Sequence, residues 1–110
     1  MADTNVTIEF SPIGFDISIR SFLWFRRRFE IVWDDVVEIR AEMKDCFAYH
    51  VFGLRFMTAE DKGYLVCDDD AIWPEFYERV QQIFPAIDQA VIAEIQASFP
   101  SEWSKTCWRG

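Results

Sequence analysis

The fold turns on YLVCDDDAIWPEFYERVQQIF, Tyr64–Phe84. Its first four residues, Tyr64 to Cys67, read as a strand returning from the polar loop Thr58–Gly63, which Gly63 closes. Beyond the acids the period changes. Ile72, Trp73, Phe76, Tyr77, Val80, Ile83 and Phe84 recur at three- and four-residue steps, the stripe of an amphipathic helix. Asp68, Asp69 and Asp70 are expected to cap and charge the start of that helix. Pro74 suits its first turn, where little hydrogen bonding is lost.

Working outward, everything before this switch has strand periodicity. Val6, Ile8 and Phe10 alternate with polar residues, and so do Phe15, Ile17 and Ile19. Ser11-Pro12-Ile13-Gly14 between them is turn chemistry, so residues 4–20 read as a hairpin. Ser21–Arg28 has no clean period. Phe29, Ile31 and Trp33 mark a strand over 28–33, and Asp34-Asp35 a polar turn. Val37, Ile39, Ala41 and Met43 alternate with Glu38, Arg40, Glu42 and Lys44, the clearest strand in the chain. Tyr49–Thr58 is another, with His50, Phe52, Leu54 and Phe56 sharing a face.

After the switch, Pro85 ends the first helix or starts the next segment, and Asp88 caps a second helix with the stripe Ile87, Val91, Ile95 and Phe99, stopped by Pro100. The tail Ser101–Gly110 carries Trp103 and Trp108 and is expected to dock back on the domain. The expectation is a single α+β domain over 1–110. It would be a strongly curved antiparallel sheet or partial barrel of about six strands, followed by two C-terminal helices.

The residues Ile31-Val32-Trp33-Asp34-Asp35-Val36-Val37-Glu38-Ile39, Gly63-Tyr64-Leu65-Val66, the acidic run into Trp73-Pro74-Glu75-Phe76, and Trp108 resemble a group of small bacterial proteins of uncharacterised role with a pleckstrin-homology-like arrangement. The resemblance covers 29–110. It implies a curved sheet with a C-terminal helix against one opening, and it transfers no catalytic residue. Two C-terminal helices depart from the single helix of that arrangement.

The chain has 110 residues, with 19 acids against 11 bases and a net charge of −8. That field opposes nucleic acid, whose affinity comes from Lys and Arg on phosphates, and anionic membrane surfaces for the same reason. No apolar run approaches the ~20 residues of a bilayer crossing, so no integral membrane association is expected. Three widely spaced cysteines (Cys46, Cys67, Cys107) and the absence of a signal-peptide pattern at the start lead to an expectation of a cytoplasmic chain with reduced thiols.

Catalytic constellations are weak. Cys46 and His50 are four apart in a strand, which spans ~13 Å, too far for an activated thiolate. Cys67 could reach His50 across neighbouring strands. The Cys and His spacing contains only one close pair, against a zinc site, and Asp68–Asp70 lack the pattern of a calcium loop. No glycine cluster cradles phosphate. No enzyme activity, cofactor or metal is expected.

The one local charge reversal is Arg26-Arg27-Arg28 after Phe22-Leu23-Trp24-Phe25. Four large apolar residues in a row cannot all face one side of a strand. Aromatics and Arg are enriched at interfaces. The interaction surface expected is therefore Phe22, Trp24, Phe25, Arg26, Arg27 and Arg28. It belongs to a non-catalytic protein-interaction domain that takes a protein partner or associates with itself as a homodimer. Two other readings stand beside it. One is a small-ligand or lipid-binding pleckstrin-homology-like barrel with aromatics lining a pocket. The other is an acidic immunity-type inhibitor of a basic toxin.

Overall fold

Alternating apolar residues at the start of the chain make three strands in a meander: β1 (Asn5–Ser11), β2 (Gly14–Ser21) and β3 (Phe25–Val32). These are features of a computed structural model, which describes residues 5–21, 25–45, 50–97 and 104–110. The strands form one antiparallel sheet in the order β1-β2-β3, and a 3-10 turn at Trp33–Asp35 follows β3. Ile8, Phe15, Ile17 and Ile31 are buried on one face, and Trp33 lies with its ring 5.0 Å from Phe15. Of the hairpin expected over 4–20, the part from Asn5 to Arg20 is present, and residue 4 lies outside the described residues. Strand β3 begins earlier than the periodicity suggests, because pairing with β2 carries it back through Arg28, Arg27 and Arg26 to Phe25.

Gly14 is required by close approach. A Cβ there would lie 1.8 Å from the carbonyl oxygen of Ile31 and 2.9 Å from Cα of Val32. Both are main-chain atoms of the neighbouring strand.

The chain divides into two compact units, Met1–Asp35 and Val36–Gly110. The second holds β4 (Val36–Asp45), β5 (His50–Thr58), β6 (Gly63–Cys67), α1 (Trp73–Ile83), α2 (Gln89–Ala97) and β7 (Ser104–Arg109). Its sheet runs β6-β5-β4-β7, with antiparallel neighbours. Asp61, at φ 61°, turns the β5–β6 hairpin in the left-handed region that Asp tolerates.

One face of this sheet carries Ile39, Ala41, Phe52, Leu54, Phe56 and Val66, all buried. Helix α1 lays Phe76 edge-on to Phe56 at 5.7 Å and Trp73 edge-on to Phe52 at 6.0 Å. Helix α2 lies over β4 and β7 and buries Ile92 and Ile95. Phe84, after α1, meets Trp108 of β7 at 4.7 Å.

The α+β class holds, in two antiparallel sheets with two helices. Four finer expectations change. The described strands number seven, because the tail docks as β7 beside β4, so the helices are not the last elements. A bulge between Val36 and Glu38 buries Val36 and turns Val37 outward, 41% exposed. This is the local reversal that an extra residue brings. The three Asp do not cap α1. Its N-cap is Ile72, which makes no side-chain cap bond, and Asp70 instead accepts from the Ile72 amide (3.1 Å) in a turn before the helix. Asp88 does cap α2, accepting from the Ala90 and Val91 amides at 3.0 and 3.3 Å. That helix buries Ile92 where the stripe gave Val91, and Phe99 lies outside the described residues.

Candidate functional site

Of the expected surface, Phe22 and Trp24 lie outside the described residues. Phe25 and Arg26 are placed by main-chain register alone, opposite Ser21 and Arg20. Arg27 and Arg28 are exposed, and successive strand residues point to opposite faces. The Arg27 guanidinium sits over the Phe29 ring, 5.7 Å from its centre. Arg28 Nη2 donates to Asp16 Oδ2 on β2 while its side chain stays 66% exposed. The hydrogen bond to Asp16 and its negative charge hold the Arg28 pKa above its ordinary value.

The face that carries Arg28 also carries a row of three carboxylates. The register places Glu9, Asp16 and Glu30 directly opposite one another on β1, β2 and β3. Like charges so placed destabilise a sheet. The ion pair formed within this row, among the described residues, is Arg28 with Asp16. Asp16 is 5% exposed, and its second oxygen, Oδ1, has no hydrogen-bond partner among the described residues.

Strand β3 ends its sheet, and no described strand pairs with its outer side. The Trp33 amide donates to the Ile13 carbonyl at 2.9 Å, and this phases the ladder. Alternation then turns the main-chain groups of Phe25, Arg27, Phe29 and Ile31 toward β2, and those of Arg26, Arg28, Glu30 and Val32 outward. The edge therefore offers backbone donors and acceptors beside two exposed guanidiniums.

The second unit has its own polar lattice on the sheet face away from the helices. Glu38 Oε2 accepts from Thr106 Oγ1, from Arg40 Nη1 at 3.1 Å and from Arg109 Nη2 at 3.4 Å. Glu42 Oε2 accepts from Arg55 Nε at 2.7 Å, and Arg40 Nε donates to Ser104 Oγ at 2.8 Å. The Thr106 hydroxyl and the two arginines push the Glu38 pKa down, the reverse of what a general acid needs. These carboxylates are committed to joining β4 to β5 and β7.

The other chemistries find little support in the geometry. Cys67 pairs with Gly53, three residues along β5 from His50. That offset is about 10 Å, and an odd step sends the two side chains to opposite faces, so the cross-strand dyad is not formed. Cys46 lies outside the described residues. Burial pushes the Cys107 thiol up to about 11, which leaves it unreactive at neutral pH. Among the described residues, no three of His, Cys, Asp or Glu converge as metal ligands. Among the described residues, no helix is long and apolar enough to cross a membrane.

Comparison with known protein families, curated proteins and solved structures found no match.

The sequence had marked the arginines but not the acids beside them. The tight turn at Ser11–Gly14 already implies that Glu9 faces Asp16. The depth at which Asp16 is buried had no signal in the pattern.

Proposed function

We propose that this chain is a non-catalytic protein-interaction module whose contact surface is the outer edge of β3, and that it works in the cytoplasm. One observation carries the reading: an edge strand presents outward main-chain groups together with Arg27 and Arg28, exposed on its two faces. Arginine is favoured at interfaces because its planar fork binds carboxylates and backbone carbonyls in a defined geometry. Added strands are held by main-chain bonds, and side chains at alternate positions supply selectivity. On a chain of net charge −8, this basic stretch is where an acidic surface meets least repulsion.

The test is affinity capture with quantitative mass spectrometry, using the wild-type chain, Arg27→Glu, and Lys62→Glu as a control on the exposed β5–β6 loop. Circular dichroism checks that each variant folds. The reading expects one dominant captured protein, a second copy of the chain included, that falls at least fivefold with Arg27→Glu and persists with Lys62→Glu. No captured protein, or capture indifferent to Arg27, overturns it.

A further inference from the structure

We infer that the outer edge of β3 is built to take a second copy of itself, in one antiparallel register centred on Phe29. The inference rests on the interaction reading and names the partner.

Two copies related by a two-fold axis present the same strand to each other in opposite directions. The outward main-chain groups belong to Arg26, Arg28, Glu30 and Val32, so these must face one another for the ladder to close. That leaves few registers. Centring on Arg28 sets Arg28 against itself. Centring on Glu30 sets Glu30 against itself. Centring on Arg27 brings Arg26 against Arg28. Centring on Phe29 sets Arg28 of each copy opposite Glu30 of the other, twice, with no like pair directly opposed.

The same register suits the second face. Phe29 meets Phe29 in the close, non-hydrogen-bonded kind of pair, and cross-strand aromatic pairs add to sheet stability. Arg27, already over its own Phe29 ring, falls opposite Ile31. Arg26 falls opposite Val32.

The electrostatics within one copy point the same way. Glu30 stands directly opposite buried Asp16, which itself faces Glu9. Arg28 bonds to Asp16 and feels the Glu30 charge without contact, so among the described residues no ion pair within bonding reach is formed by Glu30 itself. In the dimer each Glu30 receives the other copy's Arg28 on its outer side. The guanidinium has five donors, enough to serve Asp16 and a second carboxylate together. The arginine run also discourages chance pairing with other edges, as charged edge strands do. Pairing confined to one strand buries little area, so the dimer is weak and concentration-dependent.

Light scattering behind size exclusion, over a concentration series, is the first readout. The mass is expected to rise from 13.0 kDa toward twice that value. Glu30→Arg should move the midpoint at least about tenfold upward, since two attractive pairs become two repulsive ones. Arg28→Glu should do the same, and mixing the two variants should restore a heterodimer, because each Glu then faces an Arg. Arg28→Glu removes the partner of buried Asp16, so a second measurement covers its failure to fold. Phe29→Cys places two thiols on the axis, where Cα atoms ~4.5 Å apart permit a disulfide. Arg27→Cys places them about 14 Å apart. With the wild-type chain as background, a dimeric disulfide is expected for the first and not the second. A monomer throughout, or a dimer that neither responds to Glu30→Arg nor cross-links at position 29, overturns the inference. Arginine-dependent capture of another protein by a monomeric chain would overturn it and leave the interaction reading standing.

Discussion

Replacing Gly14 by alanine perturbs the register on which the β3 surface depends. The added Cβ would sit 1.8 Å from the Ile31 carbonyl oxygen and 2.8 Å from its carbon. A relaxed C···O contact is about 3.3 Å, so β2 and β3 must part by roughly 1.5 Å at that point. No side chain can rotate away, because the obstructing atoms are main chain. Parting breaks the bond from the Trp33 amide to the Ile13 carbonyl and strains the pairing of Phe15 with Ile31. Two main-chain bonds lose about 1 kcal/mol each, and overpacking adds about 1–3 kcal/mol. Reduced freedom of the unfolded chain returns about 0.4–1 kcal/mol. The net loss is about 3 kcal/mol, a large part of the roughly 5–15 kcal/mol typical of a domain. Urea unfolding followed by circular dichroism and tryptophan fluorescence measures it, with Trp33 reporting from the turn that follows β3. At a slope of about 1.5 kcal/mol/M the midpoint should fall by about 2 M. A variant within about 0.5 kcal/mol of wild type would mean that Gly14 does not face Val32 as described. The placement of Arg27 and Arg28 would fall with it.

Three further outcomes follow from the second unit. Phe76→Ala, at a fully buried ring packed edge-on against Phe56, should lose about 3–5 kcal/mol in the same urea assay. Glu38 has a folded pKa below its unfolded value, so its stabilising effect is present above the unfolded pKa of about 4.5 and is lost as pH falls through the lower folded value. Acid unfolding of Glu38→Gln should accordingly show a shallower decline below pH 4.5 than wild type. Cys107, with a thiol pushed up to about 11, should resist iodoacetamide at pH 8 in the native protein and react on unfolding, as intact-mass spectrometry can follow.

Both hairpins were legible because one face of each strand is apolar and the turns carry Pro, Gly or Asp. Three features were not. Strand β7, Ser104–Arg109, has a weak pattern of its own and becomes a strand by pairing with β4 around a bulge at Cys107. Val36 and Val37 look interchangeable in sequence, and only the bulge decides which is buried. The run of acids before α1 looked like a cap, yet Asp70 closes a turn one step earlier and the helix starts at Trp73. At the candidate site the arginine run stood out by charge, while its strand character came from β2. Glu30 and Asp16 gained meaning only when the register set them opposite each other. Alternation assigns Asp16 to the polar face and carries no information about its depth.

Residue-resolved amide hydrogen exchange of β3, in dilute solution and then at high concentration or with the captured partner, tests the role of this edge most directly. In the isolated chain the outward amides of Arg28 and Glu30 should exchange quickly, while those of Arg27, Phe29 and Ile31, directed to β2, are protected. On association, protection at Arg28 and Glu30 should rise at least about tenfold and erase the alternation. Unchanged exchange at those two amides, with new protection appearing on β1 or in the second unit instead, would place the interaction surface elsewhere.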